Sequence, residues 1–159
     1  MALQFVTKPS LSRIDESPGQ VSRDGTKSAL LYLPYDISFI AGWSGVYVAE
    51  EVAVKTYGQM IMCRSGYFVG IAGWLDSPPL GNTIIDIEKN GATIFSTKPM
   101  FAQTNYLSLT IGNGVNEYAF APYPTTTFHS GNRITFKVTT LGNASMPGSG
   151  MRVILKCKV

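Results

Sequence analysis

The sequence predicts an all-β protein: a jelly-roll-like antiparallel β-sandwich over residues 30–159, preceded by an extended N-terminal arm over residues 1–29. Three observations carry this reading. From Leu30 onward, apolar and polar residues alternate with the period-two pattern of short, half-buried strands. Turn residues interrupt the alternation at Ser65-Gly66, Pro78-Pro79, Gly81-Asn82, Asn90-Gly91, Gly112-Asn113-Gly114, Gly131-Asn132 and Pro147-Gly148. The segments between those breaks make about eight or nine strands, which suits a two-sheet jelly roll. Apolar residues are 45% of the 159 and charged residues only 14%, the opposite of the balance that keeps a chain disordered. A chain of this length makes one ordinary domain and can bury a core without disulfide or metal staples.

Taken in order, the arm comes first. Arg13, Asp15, Glu16, Arg23, Asp24 and Lys27 mix there with Pro9, Pro18, Gly19 and Gly25. Its apolar residues are isolated anchors, Leu3, Phe5, Leu11, Ile14 and Val21. Such a segment cannot bury a face of its own, so it is expected to lie against another chain as a partner-binding arm, with a floppy terminus as the competing reading. In the next stretch, Ile37, Phe39 and Ala41 alternate with Asp36 and Ser38. Residues 46–58 carry both a helical pair, Glu51 and Lys55, and β-branched alternation. A strand from about Val52 through Cys63 is expected on β-branched content, with a short helix near Ala49–Val52 as the competing local choice.

Asn90-Gly91 lies between two β-branched runs, and that dipeptide readily takes the positive φ values of a type I′ hairpin turn. Beyond it, Ile134, Phe136 and Val138 alternate with Arg133, Thr135, Lys137 and Thr139. Met151, Val153, Leu155, Cys157 and Val159 alternate with Arg152, Lys156 and Lys158. A one-residue slip would put charges in the core, so these registers are strongly specified. The expected core comprises Ile37, Phe39, Val69, Ile71, Ile85, Ile87, Ile134, Phe136, Val138, Val153 and Leu155.

Marks of catalysis are few. His129 is the single histidine and sits in a turn signal, which rules out a histidine-rich metal site or a two-histidine mechanism. No G-x-S-x-G elbow occurs, and Gly112-Asn113-Gly114 lacks the Lys and following helix of a phosphate-binding loop. Asp86 and Glu88 share one strand face, but alternation with Ile85 and Ile87 reads more simply as a solvated face. Glu50-Glu51 lacks calcium-loop spacing. Cys63 and Cys157 both lie in apolar runs and read as two reduced, buried thiols, with a disulfide between them as the competing reading, since sequence does not establish their proximity. No catalytic residue, metal or cofactor is therefore expected.

The net charge of +3 is spread singly along the chain, without the clustered stripe that tracks phosphates, so nucleic acid is not an expected partner. Nor is a membrane: the first residues lack a signal peptide's basic start and apolar run. No stretch reaches the eighteen or so apolar residues of a membrane span. Synthesis in the cytosol is the expectation. Trp43, Trp74, Tyr106, Tyr118, Tyr123 and Phe128 lie in or beside turns. The first five are candidates for an interface or a glycan-facing surface, since Trp and Tyr are large, stiff and amphipathic. The competing reading has these rings plug the ends of the sandwich.

The segments YDISFIAGW, VAVKTYGQMIMCRSGYFVGIAGWLD, IIDIEKNGATIFSTKP, FHSGNRITFKVTTLGN and GMRVILKCK together resemble a recurrent domain of tailed-phage virion structural proteins. The resemblance covers about residues 35–159. Its most specific parts are the Asn-Gly hairpin and the segment from Gly131 to Val138, where Asn132 stands in place of the family's Asp and preserves the turn. It implies a jelly-roll-like sandwich of the kind found in capsid decoration (cement) proteins and in tail-fibre or baseplate receptor-binding modules, with no catalytic residues. The partners it implies are the major capsid protein or other virion proteins, in a homo-oligomer with a trimer favoured, and host glycan in the receptor-binding case. The arm and the lack of a fibre shaft favour decoration and a virion location. A small glycan hydrolase is a remote third class, for want of suitable acids.

Overall fold

The computed structural model describes residues 35–44, 48–107, 119–121 and 125–159. The arm anchors Leu3, Phe5, Leu11, Ile14 and Val21, and the aromatics Tyr118 and Tyr123, lie outside the described residues. All regular structure described is β: β1 (Ile37–Ala41), β2 (Trp43–Ser44), β3 (Val48–Ala49), β4 (Lys55–Ile61), β5 (Gly66–Trp74), β6 (Asn82–Lys89), β7 (Ala92–Thr93), β8 (Phe95–Thr97), β9 (Met100–Ala102), β10 (Ala119–Phe120), β11 (Thr127–Phe128), β12 (Arg133–Thr140) and β13 (Met151–Lys158).

Two antiparallel sheets carry the fold. Sheet I runs β1-β13-β5-β11; sheet II runs β4-β12-β6, with β7 and β9 both paired to β6. In chain order, β1, β4, β5, β6, β9, β11, β12 and β13 visit sheets I, II, I, II, II, I, II and I. That alternation is the double Greek-key winding of a jelly roll, and the predicted all-β sandwich is the architecture observed.

Alternation explains the core. β13 reads buried-exposed throughout, with Met151, Val153, Leu155 and Cys157 inward and Arg152, Ile154, Lys156 and Lys158 outward. β1 sends Ile37, Phe39 and Ala41 inward. From sheet II come Ile85, Ile87, Ile134, Phe136 and Val138, all essentially inaccessible. The sheets meet at Phe39 and Phe136, stacked with ring centroids 5.2 Å apart. Phe68 and Phe128 close one end at 4.9 Å, so Phe128 is one of the aromatics that plug the sandwich.

The Asn90-Gly91 turn has φ of 54° and 91°, the positive pair of a type I′ turn. Lys89 pairs with Ala92 across it. Asn90 also accepts a hydrogen bond at Oδ1 from the Arg133 backbone N–H at 2.8 Å, which ties the hairpin to β12.

Several expectations need correction. Val69, expected in the core, is 47% exposed. β5 pairs with β13 as Ile71–Leu155, Gly70–Lys156 and then Phe68–Cys157. Val69 is thus the extra residue of a β-bulge, which resets the alternation and gives the interior place to Phe68. Cys63 is exposed rather than buried. β4 ends at Ile61, and the interior position falls to Met62, held by backbone hydrogen bonds with Asn132 and Gly131. The strand expected over Val52–Cys63 is narrower, and no helix forms near Ala49–Val52: Val48 and Ala49 instead pair with β2. Asp86 is not on a solvated face. It is 2% exposed, because cations from other segments close over it.

Candidate functional site

The two sheets present very different outer faces. On sheet II, Asp86 and Glu88 lie beside Lys137 and Thr135 of the neighbouring strand. Lys98 pairs with Asp86 Oδ2 at 2.9 Å, and Thr93 Oγ1 donates to Asp86 Oδ1 at 2.5 Å. Lys137 pairs with Glu88 at 2.6 Å. Both carboxylates of this face, Asp86 and Glu88, are thus paired with a cation. The Asp86–Glu88 pair is a structural network.

On sheet I, the outward positions are Ile40 of β1, Arg152, Ile154, Lys156 and Lys158 of β13, and Trp74, Ala72 and Val69 of β5. Ile40 is 61% exposed, and Val69 adds to the apolar surface because the bulge turns it outward. Tyr67, also exposed, stands opposite Lys158. An outward sheet face this rich in aliphatic residues is unusual for one bathed only in water.

Along the top of this face runs a ridge of aromatic rings joined by Arg152. Gly42 takes φ of 67° and turns the chain out of β1; a side chain there would meet the Glu50 carbonyl at 2.4 Å. The turn sets Trp43 at the start of β13, where its Nε1 donates to the Met151 carbonyl at 3.2 Å. Arg152 lies over the Trp43 ring at 4.2 Å and donates to Asp76 Oδ1 at 2.7 Å. Trp74 is the cross-strand partner of Arg152, so the two side chains share a face. Trp74 in turn meets Tyr106 edge-on, with centroids 4.3 Å apart at 73°.

The Tyr106 segment is pinned to β5. Leu75 N–H donates to the Asn105 carbonyl and Leu107 N–H to the Gly73 carbonyl, while Asn105 Nδ2 donates to the Leu75 carbonyl at 2.7 Å. Gly73 is required for this approach, since a Cβ would meet the Phe101 ring at 2.8 Å.

Of the five aromatics picked from sequence, the structure therefore brings Trp43, Trp74 and Tyr106 into one ridge. Arg152 and Asp76 were missed as members of it. Period-two alternation does place Arg152 outward, but nothing local says that its neighbours are aromatic. His129 is exposed in its turn, where its backbone N–H donates to Asn132 Oδ1 at 2.9 Å. Among the described residues, no group of three His, Cys, Asp or Glu side chains is placed to hold a metal ion. No helix among them is long and apolar enough to cross a membrane.

Among the described residues, two groups have displaced ionisation. Burial, helped by the negative charge of Asp36, pushes the Cys157 thiol up to about 12. Burial pulls Lys89 below its ordinary value; its ammonium donates to the Thr125 and Thr127 carbonyls, clasping the loop before β11. Neither group reaches the outer face of sheet I, and both read as structural.

No family model, curated protein or solved structure matches this chain.

Proposed function

We propose that this chain is a non-catalytic virion structural protein of a tailed phage, which decorates the capsid by docking the outer face of sheet I on the major capsid protein or another virion protein. The observation that carries the docking reading is the Trp43–Arg152–Trp74–Tyr106 ridge continuous with Ile40, Ile154 and Val69. Trp, Tyr and Arg are the residues that dominate protein–protein binding energy, and here they border an exposed aliphatic patch. The phage assignment rests on the sequence resemblance described above and on the jelly-roll winding it implied.

A tail-fibre or baseplate module binding host glycan is the second reading, and the open ring of Tyr106 favours it. Against it, Arg152 covers one side of Trp43 and Trp74 meets Tyr106 edge-on. One free ring is a poor platform for a sugar face.

The test is a decoration assay on capsids lacking this protein, with wild type and Ile154→Asp compared and folding checked by circular dichroism. Saturable binding by wild type and its loss in the folded variant is the expected result. Equal binding by both would remove the docking face. Binding to host cells but not to capsids would establish the tail reading.

A further inference from the structure

Below the ridge, the outer face of sheet I changes character. Lys156 and Lys158 point outward two positions apart on β13, about 6.7 Å along the strand. Among the described residues neither forms an ion pair; the salt bridges there involve Lys98, Lys137 and Arg152. Among the described residues, Asp36 directly precedes the Ile37–Leu155 pair of the β1–β13 register and forms no salt bridge with either lysine. Beside them on this face stand Ile154 and Val69, with Ile40 farther along it opposite Arg152. Unpaired cations thus interleave with exposed aliphatic side chains on one surface.

Three occupants compete for it. A second copy docked face to face by a two-fold axis would set lysines against lysines, a like-charge contact that costs affinity. Residues 1–34 of this or another copy carry four cations against three anions, so they bring no net compensating charge. A nucleic acid would find two free lysines where phosphate tracking needs a row of cations, and the aliphatic residues would gain nothing from it. What remains is a different protein, with acids at the spacing of alternate residues on an extended strand.

We propose that this face takes an extended segment of a partner protein whose sheet-facing side chains, at alternate residues, comprise two acids over Lys156 and Lys158 followed by apolar side chains over Ile154 and Val69. This identity of the partner rests on the docking reading given above. It adds a prediction that reading does not make: attachment is sensitive to the sign of charge at two positions outside the aromatic ridge.

The experiment uses the isotopically labelled full chain in two parts. First, it is titrated by NMR with a short capped peptide in which Glu, Glu, Val and Val occupy successive alternate positions with Ser between them, with the same peptide carrying Lys in place of Glu, and with a short single-stranded DNA. The expected result is saturable shifts at Ile154, Lys156, Lys158 and their β5 and β1 neighbours for the Glu peptide only. The K156E/K158E variant should bind that peptide about tenfold more weakly and gain affinity for the Lys peptide. Equal binding of both peptides, tighter binding of the DNA, or shifts confined to another face would overturn the proposal.

Second, K156E/K158E and Ile154→Asp are compared in the capsid assay. Loss in both supports the proposal. Loss in Ile154→Asp alone leaves the docking face standing and overturns the acidic partner. Loss in neither overturns the docking face itself and the proposal with it.

Discussion

Sheet I and sheet II are built from the same alternating strands, yet their outer faces answer their charges differently. On sheet II, Asp86 and Glu88 are closed by Lys98, Thr93 and Lys137 from elsewhere in the same chain. On sheet I, Lys156 and Lys158 face outward without an ion-pair partner among the described residues, on the same face as exposed Ile40, Ile154 and Val69. A polar face that satisfies itself contributes to the fold of the monomer. One that leaves cations and aliphatic surface open adds little to folding and keeps its interaction energy for another molecule. If sheet I docks as proposed, removing side chains should unfold the protein from one side and detach it from the other.

Phe136→Ala sets the scale, because Phe136 lies in the core that both faces share and stacks on Phe39. Its removal should cost about 3–5 kcal/mol, read from the urea midpoint. A cost near that of a surface change would mean that the register of β12 is inverted and that the two faces are exchanged. Next in size is Asp86→Ala, which deprives Thr93 and Lys98 of their acceptor. About 1–3 kcal/mol should be lost, toward the lower end because Lys98 is itself partly exposed. If the loss stayed under about 0.5 kcal/mol, the range of an ordinary surface change, the self-satisfied character of sheet II would be refuted.

A third measurement separates inside from outside on one strand. Cys157 points into the core from β13, between the outward Lys156 and Lys158, whereas Cys63 is exposed. In the folded protein, an aromatic disulfide reagent at mild alkaline pH should modify Cys63 quickly and Cys157 only after unfolding. The raised thiol adds a pH dependence. Below the ordinary value of 9.0 both folded and unfolded chains keep this proton; between 9.0 and about 12 only the folded chain does. Stability should fall across that window, and the wild type should lose more of it than Cys157→Ala. Parallel pH curves for the two proteins would contradict a buried thiol. Smallest of all, Lys156→Ala and Ile154→Ser should each change stability by no more than about 0.5 kcal/mol in denaturant titrations. A larger cost would show that sheet I's outer face holds up the monomer after all.

Much of the sandwich could be read from the sequence wherever strands alternate without interruption. The inward sets of β1, β12 and β13 and the positive-φ pair at Asn90-Gly91 are local properties, and local pattern suffices for them. Val69 could not be read, because a bulge is a relation between two strands and β5 shows it only against β13. Asp86 was misread for a similar reason: alternation marks it as polar and outward, but Lys98 and Thr93 arrive from the segment beyond the hairpin. Trp43, Trp74 and Tyr106 were singled out by residue type and by their places near turns. Their assembly through Arg152 depends on the β13–β5 register, which composition and spacing do not contain.

The position of β13 bears on when the protein can exist at all. This strand, residues 151–158, is the middle of sheet I and is hydrogen-bonded to β1 on one side and β5 on the other. A ribosome releases β1 and β5 long before it reaches residue 151, and until then the two strands have no ladder between them. Sheet I therefore closes only after the last of the described strands has been made, with contacts spanning more than a hundred residues. Such long-range pairing is slow to form, and strand edges left open during synthesis are prone to pair with other chains. A nascent chain stalled before residue 151 should accordingly be a client of chaperones. Completion of β13 would turn it from an aggregation hazard into a folded domain.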